Sequence, residues 1–312
     1  KSWPSAPRPC SQITEKTGLA PVVVSIVSRS ALGTAAASRN EGAALCPSRR
    51  PLPAAVPAPH NARMSAITTP SWRLDDDTPA ETLAAQGFAR LSPAASARAA
   101  AVGPAALAAL ATHWADLPPD EHLRDGGRYR FRRHASLVMS EDGRRIEQRV
   151  DRPHWQPTDY NALHGGYERW FAPVLDATLA DPAFLGLITG LGALCATAAG
   201  HPLPFVEVHQ FRIDTAQGIG RPTPEGAHRD GVDFVAVVLI DRVAVRGGET
   251  RVFDADSPAG LRFTMVEPGT ALLLDDARMI HETTPLQPDG AAGHRDTLVL
   301  TWRRDGFLDP VG

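Results

Sequence analysis

The chain is poor in cysteine and has no long apolar run. Its three cysteines, Cys10, Cys46 and Cys195, offer neither a paired disulfide framework nor the close spacing of a cysteine metal site. No stretch approaches the roughly 20 unbroken apolar residues that cross a membrane. These absences argue against a disulfide-rich scaffold and against a membrane protein, and they favour a reducing, cytoplasmic location.

An excess of charge of one sign is also missing. The formal net charge at pH 7 is −3, whereas a nucleic-acid-binding protein needs a clustered surplus of Lys and Arg to neutralise phosphates. We therefore expect no nucleic-acid partner. Aromatic residues make up only 6% of the chain and no heptad pattern is present, so the sequence identifies no interface and leaves the oligomeric state open.

The composition is sufficient for a folded core, because 43% of the residues are hydrophobic and only 21% are charged. The first 63 residues differ from the rest: they carry eight Lys or Arg against two Glu, many Pro, Ser and Ala, and no periodic pattern. We interpret residues 1–63 as a disordered leader or a non-native extension, with a transit peptide as the alternative. Residues 64–312, which begin at Met64, are expected to form a single domain.

Composition rich in Ala and Leu predicts helices in two regions. The first is 78–125, where Thr78 and Ser92 each precede a proline, as helix N-caps often do. The second consists of 160–180 and 182–199.

Short strands dominate the rest of the chain. The segment "GRYRFRRHASLVM" alternates polar and apolar residues and predicts one or two strands. Seven more segments follow, separated by clusters of Gly, Pro and Asp: "FVEVHQFRI", "DFVAVVLI", "ETRVFD", "RFTMVE", "TALLLDD", "RMIHETT" and "DTLVLTW". The chain is therefore expected to be α+β and mainly β, with a sandwich or barrel core at about 205–304 and helices packed on one side.

The segment "HRDGVDF", residues 228–234, resembles the catalytic loop of a protein kinase only in its first three letters. A kinase has a metal-binding Asn five residues after the Asp, where this chain has Val235. In a strand, residues two apart point to the same face, so His228 and Asp230 are expected to hold one metal ion between them. Alone this pair is a weak signal, because a His and an Asp at a strand end are common on protein surfaces.

His281, 51 residues after Asp230, completes a more specific pattern. Two imidazoles and one carboxylate form the facial triad, which leaves three adjacent positions of Fe(II) open for a bidentate co-substrate and O₂. Arg295 follows His281 by fourteen residues, and a guanidinium can bind the far carboxylate of 2-oxoglutarate through two parallel hydrogen bonds. Arg303, at the other end of the same predicted strand, is the competing candidate for this anchor.

Residues that bind the substrate are harder to identify. The predicted strand "EVHQFRI" has two faces, and either can face the metal; Gln210 and Arg212 are our candidates from one face. His209, on the other face, is interpreted as a buried structural histidine. Glu249 follows two glycines that allow close approach of a substrate, and it is a candidate for binding a substrate ammonium.

Several motifs, taken in order, resemble the Fe(II)- and 2-oxoglutarate-dependent dioxygenases of the L-isoleucine 4-hydroxylase type. These motifs are "DYNALHGGYERWFAPV", "VEVHQFRI", "HRDGVDF", "RGGETRVFD", "GTALLLDDARMIHETTPL" and "GHRDTLVLTW", and the resemblance covers about residues 125–304. It implies a double-stranded β-helix, or jelly-roll, core of the cupin kind.

The resemblance also implies a chemistry. His228, Asp230 and His281 would be the iron ligands and Arg295 the 2-oxoglutarate anchor. With O₂ as oxidant, the reaction would hydroxylate a small molecule, most simply a free L-amino acid, and release succinate and CO₂. Two alternatives stay open: a zinc-dependent hydrolase that uses the same three ligands, and a non-catalytic cupin-like binding module.

Overall fold

The structure is a computed structural model, and it describes residues 72–74, 77–140, 142–143, 145–161 and 163–309. The predicted leader, residues 1–63, lies outside the described residues, as do residues 64–71 at the start of the expected domain. These boundaries therefore stay predictions.

Five α-helices and one 3-10 helix are present in the described part of the chain. They are α1 (Pro79–Gln86), α2 (Pro93–Ala99), α3 (Pro104–Ala109), the 3-10 helix (Leu110–Trp114), α4 (Asp176–Leu179) and α5 (Pro182–Ala199). Ser92 caps α2 as expected, since its side chain accepts a hydrogen bond from the Ala95 N–H at 3.2 Å. Thr78 precedes α1 without a side-chain cap bond.

Twelve strands make up most of the remainder of the described chain. They are β1 (Phe88–Leu91), β2 (Arg130–Met139), β3 (Ile146–Gln148), β4 (Phe205–Asp214), β5 (Phe234–Val243), β6 (Val245–Gly247), β7 (Glu249–Asp254), β8 (Gly260–Thr264), β9 (Ala271–Asp275), β10 (Met279–Thr283), β11 (Leu286–Pro288) and β12 (His294–Arg303). All seven strands expected after residue 204 are present.

Two helical predictions were wrong in part. The region 78–125 is not continuously helical, because Gly87 ends α1 at φ +83° and the next four residues form β1, which pairs with β9. The segment 160–175 was expected to be helical, but helix starts only at Asp176. Its chain instead makes buried turns: Gly165 would place a Cβ 2.4 Å from the Asn161 carbonyl oxygen, so only glycine fits there.

The strands form an antiparallel sandwich. A seven-stranded sheet has the order β1-β9-β5-β12-β4-β2-β3, a three-stranded sheet has the order β10-β7-β8, and β11 pairs with β6. At the centre of the large sheet, β12 pairs with both β4 and β5 along most of its length. This arrangement, with helices on one side, confirms the mainly β jelly-roll core expected from the sequence.

The large sheet buries both of its faces, as its alternating residues show. Val206, Ala236 and Leu300 belong to one hydrophobic cluster with Phe184 and Leu191 of α5. On the opposite face, a second cluster joins the large sheet to the three-stranded sheet through Val235, Leu274, Val252, Leu261 and Met279. Beside that second cluster the same face of the sheet borders a cavity, where the functional side chains lie.

Helix α5 is the one continuous helix of the described chain that is long and apolar enough to cross a membrane. Its residues Phe184, Leu187, Ile188 and Leu191 are fully buried in the hydrophobic cluster under the large sheet. Its apolar composition is thus accounted for by packing inside the fold.

Candidate functional site

The three predicted metal ligands lie together at one edge of the sandwich. His228 and His281 exchange two backbone hydrogen bonds of 3.0 Å, which hold the segment before β5 against β10. The ligand atoms of His228, Asp230 and His281 all lie within 4.8 Å of one another. His228 and Asp230 were expected at a strand start, but their segment is irregular, and a single bridge to β10 positions it.

The hydrogen bonds of this trio leave the correct atoms free for a metal. His228 Nδ1 donates to the Gly226 carbonyl oxygen at 2.9 Å, so Nε2 is the ring nitrogen that faces Asp230 and can bind a metal. His228 Nε2 is 3.8 Å from Asp230 Oδ1, and His281 Nε2 is 3.8 Å from Asp230 Oδ2. Burial and the neighbouring His228 lower the pKa of His281 to about 4, so at neutral pH it is an unprotonated ligand.

Asp276 fixes the loop that carries Asp230. Its carboxylate accepts the backbone N–H groups of Asp230, Gly231 and Val232 at 2.7–3.1 Å. Burial and the negative charge of Asp230 raise the pKa of Asp276 to about 7, despite these three bonds. This contact was missed in the sequence analysis, because Asp276 lies 46 residues after Asp230 in the chain.

Gln156 links Asp230 to a buried polar network. Its Nε2 donates to Asp230 Oδ1 at 3.1 Å, and its Oε1 accepts from Arg169 Nη2 at 2.8 Å and from Asn161 Nδ2 at 3.2 Å. Metal-binding side chains are commonly held by such outer partners. Arg169 and Asn161 belong to the segment "DYNALHGGYERWFAPV", which was the only sequence signal for this network.

Arg295 is buried on β12 and borders the same cavity as the three ligands. Its exposed fraction is 2%, and its Nε and Nη2 have no hydrogen-bond partner among the described residues. Burial, with the charge of Arg242, lowers the pKa of Arg295 to about 10, which leaves it charged at neutral pH. A buried guanidinium without a partner is suited to bind a carboxylate.

Arg303, the other candidate for the 2-oxoglutarate anchor, makes hydrogen bonds to the backbone. Its Nε and Nη1 donate to the carbonyl oxygens of Gly306 and Gly231, both at 2.7 Å. It does not border the cavity. The geometry therefore favours Arg295 as the residue available to an anion.

The three substrate candidates lie outside the cavity. Gln210 Nε2 donates to the His113 carbonyl oxygen on the helical side of the sheet, and Arg212 forms two hydrogen bonds, of 2.8 and 2.6 Å, with Asp296. Glu249 accepts from Arg251 Nε at 2.9 Å. The structure thus places none of the three at this cavity, and the face of β4 that borders it carries Glu207 and His209.

A second group with metal-type side chains lies deeper in the cavity wall. His134, His154, Glu207 and His209 are buried, and their ligand atoms also lie within 4.8 Å of one another. Hydrogen bonds already join them, because Glu207 contacts His134 Nε2 at 3.2 Å and His154 Nδ1 at 3.3 Å. His209 Nδ1 accepts from Arg132 Nη2 at 2.7 Å. The cationic Arg132 and these bonds favour a structural role over metal binding, as expected for His209.

The cavity that joins these groups is small. Its volume is about 120 Å³, and its lining includes all three candidate metal ligands, Arg295 and the apolar side chains Val232, Val237 and Val299. The three candidate metal ligands, a buried guanidinium and an apolar wall thus meet in a space that suits small molecules.

Residues 111–301 of the chain match the 2OG-Fe dioxygenase family. The chain belongs to this family. It is a 2-oxoglutarate-dependent dioxygenase, and enzymes of the family use Fe(II), 2-oxoglutarate and O₂. Both the two-imidazole, one-carboxylate donor set and the unpartnered guanidinium of Arg295 fit these groups.

Solved structures agree with this assignment. A bsmA homolog from Methylobium petroleophilum PM1 is 51% identical, with a TM-score of 0.70 over 75% of this dioxygenase and 95% of that chain. IDO from Bacillus thuringiensis (16% identity, TM-score 0.58, 73% and 95% covered) and the Fe(II)/(alpha)ketoglutarate-dependent dioxygenase TqaL (18%, 0.55, 72% and 85%) share the fold. No curated protein matches the chain.

Proposed function

We propose that this dioxygenase hydroxylates a free L-amino acid, in the manner of the L-isoleucine 4-hydroxylase type, and that it acts in the cytoplasm. One observation carries the co-substrate assignment: Arg295 is buried in the same cavity as His228, Asp230 and His281, and two of its nitrogens have no partner among the described residues. The amino acid assignment is supported by the order of the motifs from "DYNALHGGYERWFAPV" to "GHRDTLVLTW". The small cavity supports a small-molecule substrate over a folded protein.

In this proposal each residue has a defined task. His228 Nε2, His281 Nε2 and Asp230 hold the iron, and Gln156 and Asp276 orient Asp230 and its loop. Arg295 holds the far carboxylate of 2-oxoglutarate. Bound Fe(II), with 2-oxoglutarate and O₂, supplies the oxidising power for an unactivated C–H bond. The valines of the cavity wall exclude water and direct the target carbon toward the metal side.

The test is a turnover assay of the reconstituted protein. The chain is purified without oxygen, loaded with Fe(II), and supplied with 2-oxoglutarate and a panel of L-amino acids, while succinate and hydroxylated products are measured. We expect succinate formation to rise several-fold with at least one amino acid, and a hydroxylated product to accumulate in equal amount. Succinate formation that no amino acid stimulates would overturn the substrate assignment.

A matched pair of variants tests the metal assignment in the same assay. His228→Ala should abolish both Fe(II) binding and succinate formation, because the metal loses one of three protein ligands. His201→Ala is the control, since that histidine is half-buried just after α5, does not border the cavity, and its Nδ1 bonds only to the neighbouring Pro202 carbonyl oxygen. Full iron binding by His228→Ala would contradict the assigned site.

A further inference from the structure

The cavity is lined by more unpartnered guanidinium nitrogens than one co-substrate carboxylate uses. Besides Arg295, its lining includes Arg130 and Arg169, which are 5% and 3% exposed. Each has a side-chain nitrogen that is buried and without a partner among the described residues, Nη2 in Arg130 and Nε in Arg169. A buried charged donor without an acceptor is costly to the fold unless a ligand completes it.

The partners that Arg130 and Arg169 already have do not satisfy both guanidinium groups. Arg130 Nε donates to Asp120 Oδ2 at 2.7 Å, which neutralises one guanidinium. Arg169 donates only to a neutral group, Gln156 Oε1, and among the described residues no carboxylate oxygen lies within 4 Å of it. Burial, then the charge of Arg130, lowers the pKa of Arg169. Arg169 therefore has no direct ion-pair partner among the described residues.

Arg130 and Arg295 border the cavity from two different strands: each pairs with Ile213 of β4, Arg130 from β2 and Arg295 from β12, so their backbones are roughly 10 Å apart. The charged neighbours that act on Arg169 are Arg130, Asp120 and Glu225, whereas those that act on Arg295 are Arg242 and Asp296. Burial, Arg130 and Arg169 together lower the pKa of His164 to about 4, so the nearby imidazole adds no further positive charge at neutral pH. Two separate positions in one cavity thus each call for an anion.

We propose that Arg130 and Arg169 form a second anion subsite, which receives a carboxylate of the primary substrate while Arg295 holds 2-oxoglutarate. This assignment rests on the proposed function and specifies how its substrate is recognised. The carboxylate accepts hydrogen bonds from Arg130 Nη2 and Arg169 Nε, which have no partner among the described residues.

Glu225 indicates what accompanies that carboxylate. It borders the same cavity, and its buried Oε2 has no hydrogen-bond partner among the described residues. Its other oxygen, Oε1, lies 3.6 Å from His228 Nε2, whereas Oε2 lies 3.9 Å from His164 Nδ1, and the His164 imidazole is neutral at pH 7. A ligand with a cationic group beside its carboxylate, as in a free amino acid, satisfies Glu225 and Arg169 together.

The binding test separates the charges of the ligand. The full chain is loaded with Mn(II), which supports no turnover, and with 2-oxoglutarate, and is then titrated calorimetrically with L-amino acids. Each amino acid is compared with its carboxamide and its desamino acid; L-leucine, leucinamide and 4-methylpentanoate form the first set, because valines line the cavity. We expect the amino acid to bind at least about tenfold more tightly than the carboxamide, with the desamino acid between them.

Two variants assign the effect to this subsite. Arg169→Gln keeps a donor for Gln156, and Arg130→Lys keeps a charge beside Asp120, so both are chosen to preserve the fold. Each should weaken amino acid binding about tenfold or more and leave the carboxamide and 2-oxoglutarate affinities almost unchanged. Arg246→Gln is the control, because Arg246 is exposed and contacts only Asp289. Mn(II) affinity is measured in every variant, which separates loss of the subsite from loss of the metal.

The possible outcomes separate failure of the second anion subsite from failure of the proposed amino acid hydroxylation. Equal binding of acid and carboxamide, or an Arg169→Gln variant that loses 2-oxoglutarate instead of the amino acid, overturns the subsite. An enzyme that forms succinate but binds no carboxylate of the panel also overturns the subsite, while the dioxygenase chemistry stands. If hydroxylation is found only for substrates without a carboxylate, both the subsite and the amino acid assignment fail.

Discussion

Arg295 shows how a single residue can carry information about a reaction. Its guanidinium is fully enclosed by β12 and its neighbours, yet the described protein provides no acceptor for two of its nitrogens. Arginine remains charged under these conditions, since even its lowered pKa of about 10 lies above neutral pH. The folded state therefore contains a charge whose partner must come from a ligand.

The first prediction at the residue scale concerns 2-oxoglutarate affinity. Arg295→Gln should raise the Kd for 2-oxoglutarate about tenfold or more, because a two-bond, charge-assisted contact is lost. Calorimetric titration of the Mn(II)-loaded protein measures this change. Arg303→Gln is the comparison variant, since the Arg303 side chain does not border the cavity. Because its Nη1 donates to the Gly231 carbonyl in the loop that carries Asp230, Mn(II) affinity is measured in both variants. An equal or larger loss of 2-oxoglutarate affinity in Arg303→Gln would mean that Arg295 is not the anchor.

A second residue-scale prediction concerns acid stability. Burial lowers the pKa of His154 to about 4, although Glu207 opposes this shift. In the unfolded chain the pKa is near its ordinary value, so between about pH 6.5 and 4 the unfolded state binds more protons and stability falls as the pH falls. From pH 7 to pH 5 His154 should cost about 2 kcal/mol of unfolding free energy.

Urea denaturation at the two pH values, for the wild type and His154→Gln, measures this contribution. The variant should lose less stability on acidification, because its side chain does not titrate. If both proteins lose the same free energy, another group is responsible for the acid sensitivity.

Residue types and spacing were sufficient to identify the candidate ligands and Arg295, but not the substrate-facing side chains. The reason lies in β4, where both faces are buried: Val208 and Gln210 lie against the helical side, and Glu207 and His209 face the cavity. In a strand with one solvent-exposed face, alternating polar and apolar residues show which face is buried. Here polar residues occur on both faces, so orientation depends on partners that are distant in sequence.

At the scale of elements, strands were better predicted than helices. The seven strands after residue 204 are present because β-branched and apolar runs separated by glycine, proline and aspartate have few alternatives. Strand β1 was missed because its residues, Phe88–Leu91, lie within an Ala- and Leu-rich region and become a strand only by pairing with β9. The turns at 160–175 are set by buried side-chain hydrogen bonds, which leave no periodic signal.

The element-scale prediction concerns the loop that carries Asp230. Three backbone N–H groups of this loop depend on Asp276, so Asp276→Ala should loosen it and weaken Fe(II) affinity by about 10–100-fold. Titration with Fe(II) under anaerobic conditions measures the affinity. Asp256→Ala, in an exposed turn between β7 and β8, should bind iron as the wild type does. Unchanged iron affinity in Asp276→Ala would show that the bridge between His228 and His281 is sufficient to hold the loop.

At the scale of the whole molecule, stability and function make opposite demands on the cavity. The helices and the hydrophobic clusters stabilise the sandwich on its dry sides, whereas the cavity face buries Arg130, Arg169 and Arg295 without complete partners. Groups poised for a ligand commonly reduce the stability of the free protein, and the ligand restores it by binding only the folded state.

This conflict predicts that replacing one buried residue will stabilise the ligand-free protein, whereas most substitutions of buried residues destabilise a fold. Lowering the pKa of Arg295 from 12.5 to about 10 corresponds to about 3 kcal/mol of unfolding free energy lost at neutral pH. Arg295→Met removes that charge and keeps an apolar stem of similar length, so the ligand-free variant should be more stable than the wild type by about 1–3 kcal/mol. Its gain in stability on adding Mn(II) and 2-oxoglutarate should nearly vanish.

Arg303→Met should instead be destabilised, because the Gly231 and Gly306 carbonyls lose their donor. Chemical denaturation with and without the two ligands decides the matter, and an Arg295→Met protein less stable than the wild type would mean that its charge is balanced within the fold.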